Sequence, residues 1–284
     1  MTQLGQKISG IDLRPVASFF GAEVGDIEDL HPGMVACCGV FCDHFGNREP
    51  GGRFFARQMR YCSSDPWTRN ELGYSQKNII DLGDLNVYPL EPQRLGEVLR
   101  EQVRRVVETG ARLFIANGGF GVTPALVAGI ADAVVEKQLH VVRVSRRPNR
   151  IPVDSKSPLA VPRGQAASRI VQVLEGGEDA YTWLPSCRAT EIDVHLQAVG
   201  NPCFLSIDAD VLNPVYSDTG SYQGISGDRP LDLINLIDRL RGTQVVAAEM
   251  TGHLPSFELH GRSVTEFSVA ICASVVELLR KELR

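Results

Sequence analysis

The sequence has no long run of one kind of residue, and each such absence excludes a class of protein. The 29 basic and 34 acidic residues are interspersed, with a formal net charge of -5, so no block of positive charge is available to bind nucleic acid or an anionic membrane. No segment approaches the roughly 18 apolar residues of a membrane-spanning helix. No N-terminal stretch has the pattern of a secretory signal, so the sequence predicts a cytoplasmic protein.

Cysteine has no spacing typical of a disulfide framework or of a zinc site. The seven cysteines are odd in number, and several lie in apolar segments, where a free thiol acts as a small hydrophobic group. Cys37, Cys38 and Cys42 are close together, but no second Cys or His pair with zinc-type spacing accompanies them. We therefore expect reduced thiols in the protein core.

The sequence does contain an alternation of short, β-branched apolar segments with amphipathic segments, which is typical of a parallel sheet covered by helices. The predicted strands cover residues 34–41, 78–82, 111–116, 139–145, 202–207 and 244–249. The predicted helices cover residues 93–109, 124–137, 163–175, 187–199, 231–241 and a last helix from Ser263, where Glu266 completes a capping box. No linker or repeat divides the chain, so residues 1–284 are predicted to form a single α/β domain, in which residues 1–30 lack a clear pattern.

Polar residues and glycines follow the predicted strands. Ligands of an open parallel sheet bind beyond the carboxyl ends of its strands, so these residues are the first candidates for a functional site. They are Asp43, His44, Gly83, Asp84, residues 117–119, residues 145–147, Asp208, Asp210 and Glu249.

One of these strand ends carries a family signature. Residues 206–214 read SIDADVLNP and resemble the SxDxDxxDP signature of the ureohydrolases, the family of arginase and agmatinase. Residues i and i+2 leaving a strand point the same way, so Asp208 and Asp210 would place two oxygen ligands at one site. Taken alone, the segment has an alternative interpretation as an Asp-rich turn after a strand.

Four further segments follow the order of the same family. Residues 39–43 resemble its N-terminal strand, and residues 51–60, GGRFFARQMR, are similar to its GARFGPRAIR segment. Residues 81–87, DLGDLNV, are similar to its DLGDVNV strand end, and residues 245–249 resemble a late strand that ends in a substrate-facing glutamate. The resemblance implies a three-layer α/β/α fold with a mainly parallel sheet, assembled into a trimer or hexamer.

The resemblance also implies a pair of manganese ions, but most positions that would bind them carry other residues. Residues 118–121 stand where the family has GGDH, and residues 145–149, SRRPN, stand where it has the three ligands of DAHxD. Residues 162–165 lack the family's proton-shuttling histidine. Only Asp208 and Asp210 remain, and two carboxylates would hold at most a weak single divalent metal. We therefore expect no metal cofactor.

Nine residues are candidates for the site. The predicted catalytic residues are Asp208, Asp210 and Glu249. The predicted substrate-binding residues are Asp43, His44, Arg147, Asn149, Arg163 and His253. Glu249 matches the glutamate that binds guanidinium groups in the family, but a carboxylate at a strand end with a local arginine partner is the alternative. A lone histidine such as His44 or His253 is more often a hydrogen-bonded structural residue.

Three classes of function remain open. The first is a non-catalytic homologue that binds a small-molecule ligand, or that supports a related subunit in a hetero-oligomer. A homo-oligomer is the alternative assembly. The second is an enzyme with remodelled chemistry in a specialised biosynthetic pathway, for which Arg147 and its neighbours favour an anionic substrate. The third is a hydrolase of C–N bonds in guanidines or amides that uses one weak metal at Asp208 and Asp210.

The missing metal charge leads to a specific hypothesis. Asp208 and Asp210 converge, and two unpaired carboxylates in a partly buried cleft raise each other's energy. Arg147 stands where the family has a metal-binding histidine, so we predict that its guanidinium pairs with these carboxylates. The alternatives, if the loop turns differently, are Arg146, Arg150 and Arg163.

Overall fold

Eight strands and six α-helices form the described part of the chain. The computed structural model describes residues 17–42, 51–73, 75–85, 92–134, 139–145, 169–173, 202–216, 227–254 and 263–281. The strands are β1 Glu23–Val24, β2 Val35–Val40, β3 Ile79–Leu85, β4 Arg112–Asn117, β5 His140–Val144, β6 Arg169–Val173, β7 Cys203–Asp208 and β8 Val245–Thr251. The helices are α1 Phe55–Ser63, α2 Pro66–Leu72, α3 Pro92–Glu108, α4 Thr123–Ala133, α5 Pro230–Arg239 and α6 Ser263–Lys281.

The strands form one sheet in the order β1-β3-β2-β4-β8-β7-β5-β6, and every pair of neighbours is parallel. Parallel strands are covered on both faces, so their sequences are nearly continuous apolar runs. Every residue of β2, β5 and β7 is buried accordingly. Because all the strands run the same way, their carboxyl ends meet at one edge of the sheet.

Two hydrophobic cores lie on opposite faces of the sheet. Leu113 and Ile115 of β4 belong to the core that includes Leu95 of α3 and Leu126 of α4. Phe114, the residue between them, belongs to the other core, which is built with α1, α5 and α6. This alternation follows from the two-residue period of a strand. The result is the three-layer α/β/α arrangement that the resemblance implied.

The six strands predicted from the sequence are present as β2, β3, β4, β5, β7 and β8. Three of the predicted helices are present as α3, α4 and α5, and the last helix begins at Ser263 as expected. The helix predicted at residues 187–199 lies outside the described residues.

The helix predicted at residues 163–175 is wrong where the structure describes it. Residues 169–173 form β6, which pairs in parallel with β5 along its whole length. The segment reads RIVQV, in which three of five residues are β-branched, and such residues favour a strand over a helix. An edge position beside β5 completes the sheet.

The six cysteines that the structure describes are buried thiols, which confirms the expected core thiols. Cys187 lies outside the described residues. Among the described helices, none has the length and the apolar composition that a membrane span requires.

Candidate functional site

A row of polar side chains crosses three adjacent strands near their carboxyl ends. In the sheet register Arg143 of β5 stands beside Ser206 of β7, and Ser206 stands beside Glu249 of β8. All three are buried, in strands whose neighbouring positions are apolar. We call these three residues the first polar row. Buried polar groups need hydrogen-bond partners, so three of them side by side indicate a functional or structural polar site.

A second polar row lies two residues further along the same face. Asp208 ends β7 and pairs in register with Thr251 at the end of β8, while Ser145 directly follows β5. These three residues form the second polar row, and all are buried. The two-residue spacing keeps both rows on one face of the sheet, the face that α3 and α4 cover.

Asp208 and Asp210 are held at the carboxyl end of β7 by a short turn. Residues 209–211 form a single 3-10 turn, in which the Asp210 backbone N–H donates to Asp208 Oδ1 at 3.1 Å. On the side of β5, the Ser145 hydroxyl donates to Asp210 Oδ1 at 3.1 Å. Both carboxylates therefore lie beside the end of β5, where the resemblance placed further metal ligands.

Arg143 supplies the positive charge at these carboxylates. Its Nη2 lies 3.1 Å from Asp208 Oδ2, and its Nη1 donates to Ser206 Oγ at 3.4 Å. The side chain is 2% exposed, so the ion pair is shielded from water. An arginine does pair with Asp208, as the sequence led us to expect, but among the described residues it is Arg143 from within β5. The predicted partner Arg147 lies outside them, as do Arg146, Arg150 and Arg163.

The electrostatics of the site depend on how many acids it holds. Burial and the neighbouring Asp210 raise the pKa of Asp208 to about 7, against the opposing effect of Arg143. Glu249 contributes in the same direction as Asp210. One arginine thus faces three nearby carboxyl groups, and protonation of Asp208 near neutral pH relieves part of the repulsion.

Glu249 has partners for both of its oxygens and is completely buried. Its Oε1 accepts from Ser206 Oγ and from Thr123 Oγ1, both at 2.7 Å. Its Oε2 accepts from Asn117 Nδ2 at 3.1 Å. The two interpretations of this glutamate were a grip on a cationic substrate and a strand-end carboxylate with a local arginine. The contacts are closer to the second, but the direct donors are hydroxyl and amide groups, and Ser206 links Arg143 to Glu249.

Two glycines allow the backbone to pack tightly at this edge of the sheet. A Cβ on Gly118 would lie 2.0 Å from backbone atoms of Gly52, so this glycine permits the close approach of the turn at residues 52–54 to the end of β4. Gly252, with φ of 86°, lies against Asp208, and a Cβ there would come within 2.3 Å of Oδ1. Close packing is therefore the reason that the contacts give for both glycines.

His253, a predicted substrate-binding residue, is buried between elements. Its ring centroid lies 5.3 Å from that of Phe55, and its Nε2 lies 3.4 Å from Thr265 Oγ1 of α6. It has no exposed surface with which to bind a ligand. The other five predicted substrate-binding residues, Asp43, His44, Arg147, Asn149 and Arg163, lie outside the described residues.

The burial of His253 predicts a loss of stability in acid. Burial lowers the pKa of His253 from 6.5 to about 4. Between these values the unfolded chain binds a proton that the folded chain does not, so stability is lost as pH falls from 6.5 toward 4. At about 1.4 kcal/mol per pKa unit the loss approaches about 3 kcal/mol. Urea unfolding at a series of pH values should show a shallower acid loss for His253→Gln than for the wild type.

The exposed His31 offers the matched control, because His31→Gln should keep the full acid loss of the wild type. An acid loss in His253→Gln equal to that of the wild type would contradict the assignment.

The donor set decides whether these residues fit the manganese pair that the resemblance implies. Over the residues that the structure describes, no group of three or more His, Cys, Asp or Glu side chains is arranged to hold a metal ion. Asp208 already accepts from a guanidinium, which has no lone pair with which to bind a metal. Ser145 stands at a carboxylate position of the DAHxD motif and is a donor to Asp210. The residues around Asp208 and Asp210 therefore do not fit a manganese pair.

Comparison with known proteins gives relatives of one kind. The model of the Arginase family matches residues 34–145. The chain is 24% identical over 260 residues to the mitochondrial guanidino acid hydrolase of Rattus norvegicus, with 81% of this chain and 73% of that protein covered. Among solved structures it is similar to proclavaminate amidino hydrolase from Streptomyces clavuligerus, with a TM-score of 0.75 and 17% identity over 94% of this chain and 98% of that one.

A hypothetical agmatinase from Burkholderia thailandensis is similar to the same extent, with a TM-score of 0.74 and 18% identity over 94% of this chain and 91% of that one. At such identities these two structures establish the fold alone. The resemblance to the ureohydrolases is thus supported: residues 34–145 match the model of the arginase family, and the chain has the arginase fold.

Proposed function

We propose that this protein is a ureohydrolase-fold homologue that binds a small molecule, or supports a partner subunit, without the manganese-dependent hydrolysis of its family. The observation that carries the proposal is the buried ion pair between Arg143 and Asp208. A divalent metal at Asp208 and Asp210 would be brought next to a fixed positive charge, and the repulsion between them would weaken its binding. The third class of function, hydrolysis with one weak metal, is disfavoured for the same reason.

The names of the relatives point to guanidino and amidino substrates, and the contacts of this chain argue against such a substrate here. A guanidino compound needs carboxylates that are free to accept its N–H groups. Asp208 is bound by Arg143, and both oxygens of Glu249 have donors within the chain. The ligand that we propose is therefore not a guanidinium. The arginines at 146, 147 and 150 make a small anion the class of ligand to test first.

A second candidate function rests on Asp208 itself. A carboxyl group whose pKa is raised to about 7 is suited to accept and return protons at neutral pH, and such shifts are common at catalytic sites. An enzyme with remodelled chemistry on an anionic substrate would use Asp208 in this role, with Arg143 holding the carboxylate in place. Detection of turnover of a phosphorylated or carboxylic metabolite would favour this candidate over a binding role.

Assembly and location remain proposals, the first from the resemblance and the second from the sequence. We propose a homo-oligomer, a trimer or hexamer as in the family, or a hetero-oligomer with a related subunit. We further propose a cytoplasmic location. We propose no nucleic-acid or membrane partner, because acidic and basic residues are interspersed along the chain.

Metal removal gives the direct test of the proposed function. The purified protein is expected to contain no stoichiometric manganese, and EDTA should leave its melting temperature unchanged, because Arg143 already neutralises Asp208. Added MnCl₂ should produce no urea from arginine, agmatine or a guanidino carboxylic acid, whereas an arginase assayed in parallel provides the positive control. Stoichiometric bound manganese, or urea release after manganese addition, would contradict the proposal.

A thermal-shift screen tests the ligand class. A ligand that binds only the folded state raises the melting temperature, and the rise increases with the ratio of ligand concentration to Kd. Small carboxylates and phosphorylated metabolites are expected to raise it, and guanidino compounds are not. A shift confined to guanidino compounds would reverse the assignment of the ligand class.

A further inference from the structure

We propose that Arg143 is a tethered occupant of the cation site of this fold: its guanidinium fills the position at Asp208 and Ser206, and excludes both divalent metals and free guanidino compounds. The inference rests on the proposed function and deepens it, because it names the group that occupies the site; urea release by the wild type would refute the proposed function, whereas the rescue experiment below tests the role of Arg143 by itself. It makes Arg143 a residue that determines specificity.

The sheet register fixes where this guanidinium lies. Arg143 stands beside Ser206 in the first polar row, so its side chain leaves the middle of β5 on the face that carries the carboxylates. The chain then needs only the length of the side chain to bring Nη2 to Asp208, one pleat further along, at 3.1 Å. Since both strands are paired with a neighbour on each side in the sheet, this placement is set by paired strands and not by a loop.

The shape and charge of the group match the role. A guanidinium presents a planar fork of donors, and here Nη1 faces Ser206 Oγ while Nη2 faces Asp208 Oδ2. The Ser206 hydroxyl in turn donates a hydrogen bond to Glu249 Oε1 at 2.7 Å. A single cation therefore links the carboxylate that the family uses for metal with the glutamate that it uses for the guanidinium of its substrate.

The energetic consequence concerns the acids left behind. Removing the guanidinium leaves Asp208 either as an unpaired buried charge or as a buried acid that must take up a proton, whereas replacing both partners is far less harmful. In Arg143→Ala the truncated side chain would leave a space beside Asp208 of the size of the lost guanidinium. The acceptors of that guanidinium, Asp208 Oδ2 and Ser206 Oγ, would line this space. Free guanidinium ion should then bind where the wild-type protein has no room for it.

Chemical rescue tests the inference. Arg143→Ala is expected to melt well below the wild type, and guanidinium chloride at about 10 mM, far below denaturing concentrations, should raise its melting temperature by about 2–5 °C. Sodium and ammonium chloride at the same ionic strength should give a smaller rise, and the wild type should not respond to guanidinium. A response of Arg143→Ala to guanidinium no greater than to ammonium would overturn the proposal.

The double variant Arg143→Ala with Asp208→Asn provides the matched control and a second decision. It should be more stable than Arg143→Ala, because no buried carboxylate is left unpaired at this position, and it should lose the response to guanidinium. If Arg143→Ala gives no folded protein, recovery of folded protein in the double variant supports the proposal. Failure of the double variant to fold would show that Arg143 acts through packing, and would refute it.

Discussion

Replacing Arg60 with alanine is expected to lower the free energy of unfolding by about 3–5 kcal/mol, because it leaves a buried carboxylate without its cation. Arg60 extends from α1, and its Nε and Nη2 lie 2.9 and 3.1 Å from the two oxygens of Asp81, which has no exposed surface. Its Nη1 also pairs with Asp84. The guanidinium carbon lies 4.4 Å from the ring centroid of Phe19, a cation–π contact that alanine would also remove.

The remaining contacts of Asp81 would not compensate for the loss. The backbone N–H groups of Phe19 and Gly83 donate to its two oxygens at 2.8 and 2.9 Å, but neither carries a positive charge. Asp81 in Arg60→Ala would therefore be a buried anion held by neutral donors alone.

Urea unfolding at neutral pH measures the effect, with Arg104→Ala as the control. Arg104 also forms two ion pairs, with Glu101 and Glu108, but all three side chains lie on the solvent-facing side of α3. Exposed pairs of this kind are screened by water and contribute little, so Arg104→Ala should unfold close to the wild type. Equal midpoints for Arg60→Ala and Arg104→Ala would contradict the assigned role.

The fold was predictable because its signals are local. Segments such as residues 202–207 and 244–249 have the length and the mainly apolar composition of buried parallel strands, and a single sequence is enough to recognise such patterns. The segment at residues 169–173 was misassigned because charged and polar residues flank it, and an edge strand carries a weaker apolar signal than a central one. Its assignment depends on pairing with β5, which no local pattern reports.

The site was predictable in part, for a different reason. Asp208, Asp210 and Glu249 stand in recognisable segments, and their convergence follows from parallel strands ending at one edge. Arg143 could not be found from the family motifs, because it lies within β5 and the metal ligands that the resemblance implies follow the end of that strand. A signal was available: an arginine inside an otherwise apolar central strand must be paired when buried, and the same argument selects Ser206 in β7.

The hydrogen bonds of Glu249 to Asn117 and Thr123 could not be assigned from the sequence. Asn117 and Thr123 are separated from it by 132 and 126 residues, and neither belongs to a motif that names its partner. They meet because β4 and β8 are neighbours in the sheet and α4 begins just after the end of β4. Contacts between residues so far apart in sequence depend on the strand order of the sheet, and that order is not encoded in any short segment.

Glu249→Ala is expected to cost about 3–5 kcal/mol of unfolding free energy. Truncation leaves a cavity in a fully buried position and removes the acceptor of three donors at once. The hydroxyls of Ser206 and Thr123 can rotate toward other acceptors, but Asn117 is fixed, because its Oδ1 accepts from the Gly119 backbone N–H at 3.0 Å. The loss should appear both in urea unfolding and in the melting temperature.

Glu249→Gln separates the two roles that the sequence left open for this residue. The amide keeps the volume and can still accept from Asn117 through its oxygen while its NH₂ group donates to the hydroxyls of Ser206 and Thr123, which are able to accept. A role in holding the ends of β4, β7 and β8 together therefore predicts that Glu249→Gln stays much closer to the wild type in stability than Glu249→Ala. A grip on a cationic substrate predicts instead that Glu249→Gln folds normally and loses a thermal shift that the wild type shows with guanidino compounds. The wild-type contacts favour the first result, since each Glu249 oxygen already has a donor within 3.1 Å and the side chain has no exposed surface from which to reach a ligand.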